Sequence, residues 1–149
     1  MRKKVFFSII MLLSILMTGC QALSDVTNGI EYVPAATKYV DSVQQFANDV
    51  PALAEKAISD QQAAQDLEKT LQDMKSEIQA FNDLTPPSMF EDIHNQVLEH
   101  NEAFEQGIDT YLENVKDGKV SVDVLEQTGL MDEVAVYSDL LDQIKKIAE

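Results

Sequence analysis

Residues 59–82, SDQQAAQDLEKTLQDMKSEIQAFN, place apolar side chains at Leu67, Leu71, Met74, Ile78 and Phe81, with Ala64 preceding in register. Steps that alternate between four and three put these residues on one face of a helix. Ser59-Asp60-Gln61-Gln62 has the form of a capping box, with Ser59 as the cap and Gln62 at the third position. The predicted helix runs to about Asn82, roughly 33 Å at 1.5 Å per residue. Its polar remainder makes the seam heptad-like, so it requires a partner surface, in this chain or in a second copy.

Working outward, the partners are found on both sides. Leu84-Thr85-Pro86-Pro87-Ser88 reads as a turn, and Ser88-Met89-Phe90-Glu91 as a second capping box. The stripe that follows is Phe90, Ile93, Val97, His100, Phe104, Ile108, Tyr111 and Val115. Lys116-Asp117-Gly118-Lys119 ends it, with Gly118 suited to a left-handed C-terminal position. Ser121 is expected to cap a short turn through Leu125. Thr128 is expected to cap a last helix with Leu130, Val134, Tyr137, Leu141, Ile144 and Ala148 inward. Upstream, Ile30, Val33, Val40, Val43, Ala47 and Val50 fall at helical spacing. Pro34 is tolerated in a first turn, so the main helix is placed from about Pro34. A short helix over Pro51–Ile58 is expected after a cap at Asp49.

Four long amphipathic helices joined by short connections bury their apolar faces best against one another. The expected fold is all-α, an antiparallel helical bundle of about four long helices plus short helical connections, following a signal peptide. No β-alternation, internal repeat or glycine-rich phosphate loop competes with that reading.

The signal peptide is read from the N-terminus. Arg2, Lys3 and Lys4 precede an apolar run from Val5 to Met17, broken only by Ser8 and Ser14. Counted to Cys20 the run is about sixteen residues, short of the roughly 20 a membrane-spanning helix needs. A basic start, a short apolar segment and small residues before a cut describe a secretory signal. Met17-Thr18-Gly19-Cys20 resembles the lipobox of bacterial lipoproteins, with Met17 standing where that motif most often has Leu. The resemblance implies cleavage between Gly19 and Cys20, and a diacylglycerol on the Cys20 thiol. A lone cysteine in an exported chain has no intramolecular disulfide partner, and acylation removes its reactivity. Each buried CH2 contributes about 0.8 kcal/mol, so two acyl chains anchor where one is marginal. The expected organisation is residues 1–19 as signal, 20–28 as lipidated terminus and short tether, and 29–149 as the bundle domain.

The chain of 149 residues carries eleven basic and 26 acidic side chains, for a net charge of −15. Arg2, Lys3 and Lys4 all lie in the signal, so residues 20–149 keep eight lysines, no arginine and all 26 acids, moving the net charge to −18. Arginine is the side chain best fitted to bidentate phosphate contact, and its absence excludes nucleic acid as an expected partner. The charge also disfavours electrostatic docking on anionic lipid, and is read as a solvated, self-repelling surface.

The runs LEKTLQDMKSEIQAFNDLTPP (67–87), IHNQVLEHNEAFEQGIDTYLENVKDGK (93–119) and EYVPAATKYVDSVQQFANDVPALAEKAISD (31–60) resemble a family of small Firmicute lipoproteins with no assigned function. That resemblance implies a lipid-anchored helical domain on the outer face of the cell membrane, and no activity.

Candidate chemistry is sparse. Glu91-x-x-His94 has the spacing used in di-iron bundles, which need two such motifs and two further glutamates; one copy is present. Glu91 is claimed by the capping box, and His94 is expected beside the seam, half-exposed. His100 sits on the apolar stripe and is expected to be a satisfied core or boundary histidine; the sharper reading is a pH-sensing layer. Tyr111 and Tyr137 face inward with polar tips. Glu99, Glu102, Glu105 and Asp109 read as a solvated face, and Asp117-Gly118 alone does not make a calcium loop. No nucleophile elbow is present, and Cys20 serves as the attachment point.

Function is therefore read as a membrane-anchored, extracytoplasmic lipoprotein, non-enzymatic, working as an interaction or accessory module at the cell envelope, with an unknown envelope protein as a candidate partner. No cofactor and no metal are expected. The alternative is a ligand or metal carrier using the bundle interior near His94 and His100. Oligomeric state is left open by the seam.

Overall fold

A computed structural model describes the backbone of residues 19–118 and 120–149, and side chains from Glu31 onward apart from Lys119. Five helices follow one another: α1 (Gly19–Ala57), α2 (Gln61–Asn82), α3 (Glu91–Lys116), α4 (Val122–Gln127) and α5 (Leu130–Ala148). A 3-10 turn, Ser88–Phe90, leads into α3. Four of the helices are long, and the expected all-α bundle is what forms.

The α2 seam is buried as its spacing predicts: Leu67, Leu71, Met74, Ile78 and Phe81, continued by Ala63. Ala64 is only partly covered. α1 packs on α2 and α5, and α3 packs on the same two helices. α1 and α3 are therefore diagonal partners. Side chains crossing the centre join them, at Tyr32–His94, Tyr39–Asn101 and Phe46–Phe104. Both members rise along the chain together, so α1 and α3 are parallel, while α2 and α5 run the opposite way. This is the up-down-up-down arrangement that short connections favour.

Several local expectations are corrected. α1 begins ahead of Pro34 and runs unbroken through both Pro34 and Pro51, absorbing the short helix expected over Pro51–Ile58. A proline inside a helix costs about 3 kcal/mol. Burial of Tyr32, Ala36 and Tyr39 around Pro34, and of Val50 and Ala54 around Pro51, offsets that cost. The inward stripe of α1 is also turned from the one expected: Tyr32, Tyr39 and Phe46 are buried, while Val33 is only partly so.

The α2 cap is Asp60, not Ser59. Asp60 has extended backbone, and its Oδ1 accepts from the backbone N–H of Gln62 at 2.8 Å and of Ala63 at 3.4 Å. Ser59 instead closes α1, its N–H donating to Lys56 O.

The α5 cap is Gly129, in the left-handed region at φ 68°, and not Thr128. Thr128 finishes α4: its hydroxyl donates to Leu125 O at 2.6 Å and takes the Leu130 N–H only at 3.4 Å. Ala148, expected inward, is exposed, and Leu140 is buried in addition to Leu130, Tyr137, Leu141 and Ile144. Ser121 does cap α4, accepting from Val124 N–H, and Gly118 does take positive φ, at 73°.

The cap assignment can be tested. Asp60→Ala removes the acceptor for two helix-terminal N–H groups and is expected to cost about 1 kcal/mol. Ser59→Ala is expected to stay within about 0.5 kcal/mol, as for a surface site. Urea unfolding midpoints of the two variants compare them directly, and the reverse ranking would restore Ser59 as the cap.

Candidate functional site

The interior holds two polar layers, one heptad apart. On α1, Tyr32 and Tyr39 are seven residues apart. On α3, His94 and Asn101 are too. Seven residues are about two turns, or 10.5 Å. The matching steps bring both pairs face to face across the core.

In the central layer, Asn101 has no solvent exposure. Its Oδ1 accepts from the Tyr39 hydroxyl of α1 at 2.5 Å and from the Tyr137 hydroxyl of α5 at 2.7 Å. Its Nδ2 donates to Asn82 Oδ1, at the end of α2, at 2.6 Å. One side chain thus ties all four long helices. Burial holds both tyrosines protonated, with pKa values far above the ordinary 10. They can therefore donate, which is what the Asn101 oxygen needs. Among the described residues no buried side-chain nitrogen or oxygen lacks a partner.

The second layer is aromatic. His94 is 3% exposed, and its Nδ1 lies 3.1 Å from the Tyr32 hydroxyl. Its ring stacks on Phe81 at 5.2 Å and stands edge-on to Tyr32 at 5.7 Å. Tyr32 in turn stacks on Phe90 at 5.0 Å. Burial lowers the His94 pKa below its usual 6.5 and pushes that of Tyr32 up to about 12. Both groups are neutral at pH 7.

The two histidines exchange the roles expected of them. His94 is the buried one. His100 is half-buried, its side chain 36% exposed, and its Nδ1 meets Glu133 of α5 at 2.8 Å. The seam can step from Val97 to Phe104 through residue 100 or through residue 101, and the folded helix takes 101. Sequence reasoning passed over Asn101 because a polar amide does not register on an apolar stripe. The heptad match between 32/39 and 94/101 was the available signal.

Among the described residues the interior contains no charged side chain. Glu91 is exposed, so the Glu91-x-x-His94 pair does not converge. Among the described residues no group of three or more His, Cys, Asp or Glu could hold a metal ion. A cleft of about 260 Å3 between α1 and α2 has Asp49, Asp73 and Glu77 around it, with Phe46 and Met74 beneath. It is smaller than the roughly 300–1,000 Å3 of ordinary ligand sites. Two of its acids are already met by lysines, Asp73 by Lys69 and Glu77 by Lys38. No described helix is long and apolar enough to cross a membrane. Met17 and Thr18 lie outside the described residues, as does the rest of the expected signal up to Gly19, which together with Cys20 opens α1.

The Asn101 layer makes a counter-intuitive prediction. Leucine suits a helical seam, yet Asn101→Leu strands two tyrosine hydroxyls and the Asn82 amide. At about 1–3 kcal/mol for each unsatisfied buried group, a loss of at least about 2 kcal/mol is expected in denaturant unfolding. Adding Tyr39→Phe and Tyr137→Phe removes the stranded donors and is expected to recover most of that loss. Stabilisation by the single substitution would contradict the network.

Comparison with known proteins places the chain. It is 35% identical over 131 residues to a Bacillus subtilis (strain 168) protein named uncharacterized lipoprotein YybP, with 88% of each chain covered. No solved structure matches it. Residues 32–147, from the first buried tyrosine nearly to the end of α5, match a family of unknown function, DUF6376, and the chain belongs to that family.

Proposed function

We propose that this chain is an exported lipoprotein, anchored in the cell membrane through acyl chains on Cys20, with its helical bundle on the extracytoplasmic face. The observation that carries the reading is the lone cysteine after Gly19 at the end of a short apolar run with a basic start. The B. subtilis relative, named a lipoprotein, supports it. Residues 1–19 are the signal, 20–28 join the lipid to the bundle, and 29–149 form the domain.

The bundle's role on this reading is non-catalytic, as an interaction or accessory module for an envelope protein. What supports this is the character of the interior: its polar groups are neutral and spent on one another. General acid–base or nucleophilic chemistry needs a group of perturbed pKa open to a substrate. The alternative, a metal or ligand carrier built on His94 and His100, has less to support it. The two imidazoles turn to different partners, Tyr32 and Glu133.

The anchor is tested by labelling cells with radioactive palmitate. The wild-type chain is expected to take up label and partition with membranes. Cys20→Ala is expected to lose both. Label kept by the alanine variant would remove the basis of the proposal.

A further inference from the structure

His94 and Tyr32 do more than fill space at one end of the bundle. They join α1 to its diagonal partner α3 there through a single hydrogen bond between buried groups. Around that bond sits an aromatic cluster from three elements: Tyr32 of α1, Phe81 of α2 and Phe90 of the turn. Phe81 also stacks on Tyr39 at 4.5 Å, which links this cluster to the Asn101 layer. The other end of the bundle is closed by packing around Leu67, Ile108, Tyr111 and Leu125, with no histidine among its described residues.

We propose that His94 is an acid-sensitive latch: on protonation it releases the Tyr32 end of the bundle while the far end stays closed. The chemistry is local. Neutral imidazole meets the Tyr32 hydroxyl at Nδ1 as acceptor or donor according to its tautomer, and in either case without charge. Protonation makes both ring nitrogens donors and puts a charge where no carboxylate answers it. The groups facing His94 are uncharged: Tyr32 from α1, Phe81 from α2 and Phe90 from the turn. Glu31 on α1 and Glu91 and Asp92 on α3 are exposed, as are Asp142, Lys145 and Lys146 on α5. His100, six residues along α3, has its own carboxylate in Glu133.

The sign follows from linkage. In the closed state burial depresses the His94 pKa. In the opened state it returns to about 6.5. Between pH 6.5 and the depressed value only the opened form binds the proton. Opening is therefore favoured by up to about tenfold per pH unit as pH falls, and the proton-linked drive to open fades above 6.5.

Hydrogen–deuterium exchange of the full chain in detergent micelles, at pH 7.5 and 5.5 and corrected for intrinsic rates, reads this directly. Peptides covering 31–40 and 88–97 are expected to lose protection at pH 5.5, by up to about tenfold. Peptides covering 64–74 and 104–112 are expected to change by less than about twofold. His94→Gln, neutral at both pH values, is expected to abolish the difference, and His100→Gln to preserve it. Tyr32→Phe removes the hydrogen bond that joins α1 to α3 in the closed end, so its opening midpoint is expected to move to higher pH. Uniform loosening of both ends, an unchanged pH response in His94→Gln, or no upward shift in Tyr32→Phe would each overturn the latch. If His94→Gln does not close at either pH, the Tyr32→Phe shift decides.

Discussion

One amide oxygen organises this bundle. Asn101 Oδ1 takes two tyrosine hydroxyls, from α1 and α5, while the same amide's nitrogen reaches the end of α2. Burying an amide and two phenols costs free energy unless every polar atom finds a partner. A slide of α1 by one turn would replace the Tyr39 bond with unsatisfied hydroxyls. The layer thus contributes less to raw stability than to the choice among bundles that apolar seams alone would leave nearly equal.

The second layer differs in kind. Its polar pair has one bond and an aromatic surround, so it depends on His94 staying neutral. The first layer contains no group that titrates near neutrality. Both layers sit at heptad spacing on the same two parallel helices. The fold therefore combines a pH-indifferent centre with a pH-dependent end, using the same geometric device twice.

Much of this was legible in the sequence. The Leu67–Phe81 seam, the turn at Pro86-Pro87, the Gly118 stop and the Ser121 cap follow from spacing and backbone chemistry, and all appear as read. The errors lie where two local solutions are nearly equal. Ser59 and Asp60 are both good caps, and the end of α1 takes the first for itself. Residues 100 and 101 both continue a three–four stripe, and hydrogen bonds from two other helices select Asn101. Pro34 and Pro51 read as boundaries because local rules price the lost bond, but not the buried tyrosines and valines that hold α1 together. Aromatic core positions on α1 were missed because valines at a neighbouring angle made an equally regular stripe. In each case the deciding term is tertiary, and no local pattern records it. The lipidation proposed at Cys20 is the opposite case, since it rests on a local signal alone.

The four tyrosines, all buried, offer the most direct measure of the interior described here. Tyrosinate absorbance and far-ultraviolet circular dichroism can be followed together as pH is raised. The account predicts almost no tyrosinate near pH 10 while the helices persist, then ionisation and loss of helicity in one alkaline step, Tyr39 and Tyr137 resisting until the bundle opens. Tyrosines that titrate near pH 10 with helicity intact would show that their hydroxyls reach water, and the Asn101 layer would not stand.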